Sequence, residues 1–147
     1  MTLEKKSDRH NFIITNGMEN SFVTLGKHLK VLVVEDDVVS RILLSEILKQ
    51  YNLTVTFARN GQEALEMVNA DNSFDLILMD LKMPIMNGFE ATEKIRDLGF
   101  SNPIIAQTAY ASIEDKSKIS EGGFNGYLSK PINKKSLLEI LHAIKGK

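Results

Sequence analysis

The chain has 147 residues, with 18 Lys and Arg against 19 Asp and Glu for a formal charge of −1. That length fits one domain with one core, and the balanced charge gives no electrostatic footprint for nucleic acid. The absence of Cys excludes disulfide frameworks, thiolate zinc sites and cysteine nucleophiles and favours an intracellular, cytoplasmic setting, while no segment approaches the ~20 apolar residues of a membrane span.

Residues 1–29 are mostly polar, lack the apolar stretch of a secretory signal and read as an amino-terminal tail or linker, with short apolar patches at 12–15 and 22–25. From residue 30 to 147 the pattern is regular and reads as one domain. Strands are predicted over 30–35, 53–58, 74–79, 103–107 and 126–129, and helices over 38–50, 61–70, 88–98, 112–121 and 134–145. Alternation of this kind implies an α/β fold with a mainly parallel sheet covered on both faces.

Local chemistry supports the helices. In the first, Val39, Leu43 and Ile47 repeat at four-residue spacing with Ile42 and Leu48 beside them, which predicts a broad apolar stripe against the sheet. Asn60 is a good N-cap for the second, Ser112 with Asp115 makes a capping box for the fourth, and Asn133 can cap the fifth, where Leu137, Leu141 and Ile144 face inward. The fourth helix offers only Ile113 and Ile119 as anchors, so it is expected to be loosely held. His10, His28 and His142 show no ligand spacing and read as surface or helix residues.

Four apolar runs end in polar residues: VLVVEDD, LILMDLKMPIMNG, IIAQTA and GYLSKP. Because ligands of open α/β sheets bind beyond the carboxyl ends of the strands, these ends would gather Glu35, Asp36, Asp80, Thr108 and Lys130 around one crevice. Clustered carboxylates call for a cation, and Mg2+ accepts carboxylate oxygens while keeping several waters; Asp37 is better read as a helix cap at the positive end of the dipole. An Asp so placed can act as a nucleophile toward phosphorus if a metal and an ammonium neutralise the phosphoryl oxygens. Lys130 can be that ammonium, since Pro131 keeps it out of helix, and the Thr108 hydroxyl can donate to a phosphoryl oxygen. Each of these residues alone has an ordinary structural explanation; together they describe a phosphate and divalent-metal site.

The segments VLVVEDDVVSRILL, DLILMDLKMPIMNGFEATEKIR, PIIAQTAYA and GYLSKPI resemble the receiver domain of response regulators in two-component signalling, over about residues 30–145. The resemblance implies a flavodoxin-like (βα)5 three-layer sandwich with strand order 2-1-3-4-5. It implies that Asp80 accepts a phosphoryl group, that Glu35, Asp36, Asp80 and the backbone carbonyl of Lys82 hold Mg2+, and that Thr108 and Lys130 bind the phosphoryl oxygens. Tyr127 takes the family's aromatic switch position, paired with Thr108, and Lys82 and Tyr110 border the site. The implied partners are a histidine kinase or histidine phosphotransfer protein, and a downstream protein docking on the face formed by the fourth helix, fifth strand and fifth helix; neither nucleic acid nor membrane is bound directly. Such a domain catalyses only its own phosphorylation and dephosphorylation and is not a turnover enzyme. The carboxyl-terminal sequence is similar to receivers of hybrid kinases, leaving open a single-domain regulator or a receiver from a larger kinase. Alternatives are a phosphorylation-independent adaptor of the same fold and an Asp-nucleophile phosphatase. The phosphatase would want a second Asp two residues after Asp80, where this chain has Lys82. A flavin-binding module is disfavoured by the repulsion that EDD after the first strand would exert on a flavin phosphate.

Overall fold

The computed structural model describes residues 28–109 and 112–145. In chain order the elements are β1 (Leu29–Val34), α1 (Val38–Leu48), β2 (Leu53–Ala58), α2 (Gly61–Ala70), β3 (Leu76–Asp80), α3 (Gly88–Asp97), β4 (Ile104–Thr108), α4 (Ile113–Glu121), β5 (Gly126–Ser129) and α5 (Lys134–Lys145). All strand pairs are parallel and the sheet order is β2-β1-β3-β4-β5, as expected. The tail expected over 1–29 lies outside the described residues apart from His28 and Leu29, and Leu29 opens β1.

The strand sequences explain the order. β1, β3 and β4 are almost wholly buried and read as near-continuous apolar runs, as central parallel strands covered on both faces do. The edge strand β2, LTVTFA, is only partly buried and carries an exposed Thr54. Alternate side chains feed two cores. Val31, Val33, Leu76, Leu78 and Ile105 pack with Leu44 and Leu48 of α1 and Leu137 and Leu141 of α5. Leu32, Val34, Ile77, Met79, Ile104 and Ala106 pack on the opposite face with Val68 of α2, Ile95 of α3 and Ile119 of α4.

The helix caps are built as the sequence predicts. Asn60 accepts from Glu63 N–H at 2.9 Å, Ser112 and Asp115 form a capping box, and Asn133 accepts from Ser136 N–H at 3.0 Å. Arg96, in the last turn of α3, donates to the carbonyls of Gly123, Phe100 and Asn102 and to Asn125 Oδ1 at 2.8–3.0 Å. Asn125 Oδ1 in turn accepts from Ile104 N–H at 2.9 Å, so one guanidinium ties α3 to the start of β4 and the approach to β5.

Two expectations are corrected. Helix α1 buries Leu44, Ile47 and Leu48, while Val39 is 72% exposed, Ile42 59% and Leu43 41%. The apolar residues of this helix span more than one face, and the compact i, i+3, i+4 set takes the sheet, leaving the others in water. In α4, Ile113 is 89% exposed and only Ile119 is buried, because Ile113 opens the helix and does not turn inward. The histidines are surface or helix residues as expected: His28 is exposed and bonds Asn52 Oδ1 at 2.9 Å, and His142 lies in α5, where it is buried; His10 lies outside the described residues.

The loop after β3 explains the spacing of Gly88 from Asp80. Gly88 N–H donates to Leu81 O at 3.0 Å, and a Cβ on Gly88 would stand 2.2 Å from the Asp80 carbonyl oxygen. Within the same loop Ile85 has φ 71°, and Met86 N–H donates to Pro84 O at 2.7 Å across it, a turn that is strained for a β-branched residue. Gly88→Ala forces backbone away from the end of β3 and is expected to lower stability by about 1–3 kcal/mol; urea unfolding of the variant against the parent checks this.

Candidate functional site

Register brings the polar strand ends together. Val34 pairs with Met79 across β1 and β3, so Glu35 and Asp80 follow in the next row, and Asp80 pairs with Gln107, which pairs with Leu128. Neighbouring strands lie about 4.8 Å apart, so Glu35, Asp80 and Gln107 stand side by side on the α1 and α5 face at the carboxyl end of the sheet. Lys130 lies two residues past Leu128, and its N–H donates to Thr108 O at 2.8 Å, which holds it beside the end of β4. The Lys130–Pro131 peptide is cis.

These residues line one cavity of about 250 Å3 that includes Glu35, Asp36, Asp80, Lys82, Thr108 and Lys130. Carboxylate oxygens of Glu35, Asp36 and Asp80 lie within 4.8 Å of one another. Lys130 Nζ stands 2.8 Å from Glu35 Oε1 and 3.3 Å from Asp80 Oδ2, so one ammonium bridges two buried acids. The backbone supports the first loop: Asp37 N–H donates to Glu35 Oε2 at 3.1 Å and Arg41 Nη1 to Glu35 O at 2.8 Å. Asp37 itself caps α1 by accepting from Ser40 N–H at 2.8 Å, and that hydrogen bond holds its carboxyl below the ordinary value.

Every position singled out from the strand ends therefore reaches the same cavity. Lys82 is exposed at its rim, with its N–H 3.4 Å from Asp80 Oδ1. Tyr127 is half-buried in β5 and packs on the opposite core, with Lys116 Nζ 5.9 Å from its ring centroid. Tyr110 lies outside the described residues. Two contributors are legible only with the fold: Arg41, which holds the Glu35 carbonyl, and Gln107, a polar residue inside IIAQT whose place beside Asp80 depends on strand order.

Electrostatics follows from the crowding. Burial, and then the neighbouring Glu35 charge, push the Asp80 carboxyl up to about 7, with Lys130 opposing them. Burial works against the Lys130 charge, but the Glu35 and Asp80 carboxylates outweigh it and hold its ammonium above the ordinary lysine value. The site thus holds more negative charge than one ammonium balances, and its oxygens are hard ligands. That donor set fits a small divalent cation such as Mg2+.

The family model for the response regulator receiver domain matches residues 31–142. The chain belongs to that family. It is 35% identical over 116 residues to Two-component response regulator 24 of Arabidopsis thaliana, with 79% of this chain and 84% of that protein covered. It is 36% identical over 152 residues to Hybrid signal transduction histidine kinase I of Dictyostelium discoideum, covering 95% of this chain but 9% of that protein. Receivers are thus found both in compact regulators and as small parts of long kinases. Among solved structures, the receiver domain of sensor histidine kinase PA1611 from Pseudomonas aeruginosa PAO1, which has a magnesium ion coordinated in its active-site cleft, matches with a TM-score of 0.75 and 32% identity over 82% of this chain and 100% of that one. The receiver domain of Ssk1 from Saccharomyces cerevisiae, crystallised with the histidine phosphotransfer protein Ypd1, matches with a TM-score of 0.70 and 34% identity over 75% of this chain and 83% of that one. The flavodoxin-like fold expected from the sequence is the fold of these receivers.

The raised Asp80 carboxyl makes a signed prediction. Between its unfolded value of 3.8 and its folded value of about 7, the folded chain binds more protons than the unfolded one, so in metal-free buffer the Asp80 contribution is fully present below the lower value and is lost as pH rises through the higher one. Asp80→Asn removes that loss. The variant is expected to exceed the parent in unfolding free energy by at least about 1 kcal/mol above neutral pH, with the gap closing toward pH ~4; denaturant unfolding across this range reads it.

Proposed function

We propose that the receiver accepts a phosphoryl group on Asp80 from a partner phosphohistidine and thereby alters a protein-docking surface. The observation that carries this reading is the cavity in which Lys130 Nζ lies 3.3 Å from Asp80 Oδ2 while carboxylate oxygens of Glu35, Asp36 and Asp80 lie within 4.8 Å of one another. An Asp80 oxygen attacks phosphorus, the P–O bond forms as the P–N bond to the imidazole breaks, and the electron pair returns to that imidazole nitrogen. Glu35, Asp36, Asp80 and the Lys82 carbonyl would hold Mg2+, which when bound supplies charge neutralisation for the phosphoryl oxygens. Lys130 pairs with a phosphoryl oxygen and the Thr108 hydroxyl donates to another, both being groups that strengthen as charge builds there. The chain contributes positioning and electrostatics and acts only on its own phosphorylation and dephosphorylation, so it works as a signalling acceptor and not as a turnover enzyme.

The output follows from charge. Phosphorylation adds strong acceptors to a site where Thr108 ends β4, next to the strand that carries Tyr127, and pulls those donors inward. Movement of Thr108 would free space for Tyr127 and remodel the surface of α4, β5 and α5. Helix α4 has one buried anchor, Ile119, and so is the element of that face with the least packing to resist the change. The downstream partner in this reading is a protein, in keeping with a formal charge of −1.

The phosphoryl donor must seat its histidine at the cavity mouth, where α1 begins two residues after Asp36. The exposed Val38, Val39, Ile42 and Leu43 of that helix give the donor an apolar seat, and a histidine phosphotransfer protein or kinase domain offers the matching chemistry.

With Mg2+ and a small acyl phosphate, the purified chain is expected to gain one phosphoryl group by intact mass, and Asp80→Asn to gain none. Mg2+ alone should raise the melting temperature of the parent but not of Asp36→Asn. Labelling that is unchanged in Asp80→Asn, or no labelling at all, would leave the phosphorylation-independent adaptor as the reading. Ile42→Lys is expected to slow transfer from a phosphohistidine donor by at least about tenfold, on the scale of one lost apolar anchor, while labelling by the small acyl phosphate keeps the parental rate.

A further inference from the structure

Gln107 is a fully buried amide in the row that also holds Glu35 and Asp80. Its Nε2 and Oε1 are both buried, and neither has a hydrogen-bond partner. An unsatisfied buried polar group is costly, and an apolar side chain of the same size would avoid that cost. Ile105, two residues earlier on the same strand face, is such a side chain and sits in the α1 and α5 core. Gln107 differs from it in one respect: it lines the cavity that contains Asp80 and Lys130. The sheet register places it one strand spacing from Asp80, on the side opposite Glu35.

In the resting site Lys130 divides its ammonium between Glu35 Oε1 at 2.8 Å and Asp80 Oδ2 at 3.3 Å. Taking Asp80 as the phosphoacceptor, on which this step rests, an arriving phosphoryl group draws that ammonium away from Asp80 Oδ2, while Oδ1 keeps only the Lys82 N–H at 3.4 Å. The geometry points to the Gln107 carboxamide as the replacement: a positioning residue whose Nε2–H turns onto Asp80 and holds the carboxyl in its attacking orientation while Lys130 serves the phosphoryl oxygens. No bond to Gln107 forms or breaks; one hydrogen bond is exchanged for another. The unsatisfied amide of the resting state is then a donor kept for the reacting state, and stability is given up for reactivity at this one position.

The test is Gln107→Met, which keeps length and bulk and removes the amide. Melting temperature, the rate of labelling by acetyl phosphate with Mg2+, and the side-chain amide 1H–15N resonances of Gln107 in the parent before and after labelling are measured. The expected result is a variant that melts a few degrees higher and is labelled more slowly by on the order of tenfold, the scale of one hydrogen bond to a charged group, with Gln107 resonances in the parent that move on labelling. A folded variant labelled at the parental rate overturns the inference, and so do parental resonances that stay in place. If the variant fails to fold, the parental resonances decide alone. A parent that takes no label removes the phosphoacceptor reading, and this inference with it, whereas a labelled parent with an equally reactive variant removes this inference only.

Discussion

Two carboxylates on adjacent strands share one ammonium, and the functional end of the domain is organised around that imbalance. Glu35 and Asp80 are buried side by side, with Lys130 within ion-pair distance of both. Burial of paired charge is costly unless geometry and hydrogen bonds compensate, and here the compensation is incomplete: one positive charge faces two acids, and Asp36 adds a third at the rim. Burial, and then the unbalanced Glu35 charge, hold the Asp80 carboxyl up to about 7. The three carboxylates offer the oxygen ligands that a small divalent cation takes.

The fold makes this arrangement by register. The parallel order β2-β1-β3-β4-β5 puts β1 and β4 on either side of β3, so the residues at the ends of three strands arrive in one row without any long loop to position them. The apolar runs below that row bury on both faces and anchor it. The loop after β3 closes over its own strand through Gly88, where backbone approaches backbone too closely for a Cβ. Arg96 fixes the far ends of β4 and β5 through four acceptors. The almost wholly buried strands thus lie under the acids, while α4 has a single buried anchor, Ile119.

Much of this was legible in the residues themselves. Strand and helix alternation, the caps at Asn60, Ser112 and Asn133, and the meeting of Glu35, Asp36, Asp80, Thr108 and Lys130 all follow from apolar runs ending in polar residues. What escaped was what depends on rotation or on neighbours from distant sequence. The periodicity of α1 fits more than one face, and only packing against the sheet selects Leu44, Ile47 and Leu48 over Val39 and Leu43. Ile113 is apolar but opens its helix, a place that periodicity does not penalise. Gln107 carries no motif of its own, and its interest arises because β3 is its neighbour.

The central claim is that Asp80 is held between protonated and ionised states by burial and Glu35, and that a divalent cation relieves this. A carboxyl-carbon NMR titration of Asp80, with and without Mg2+, measures it most directly. The account predicts a midpoint near 7 in metal-free buffer that falls well into the acid range when Mg2+ is added. A midpoint in the ordinary aspartate range that does not move with Mg2+ would contradict it.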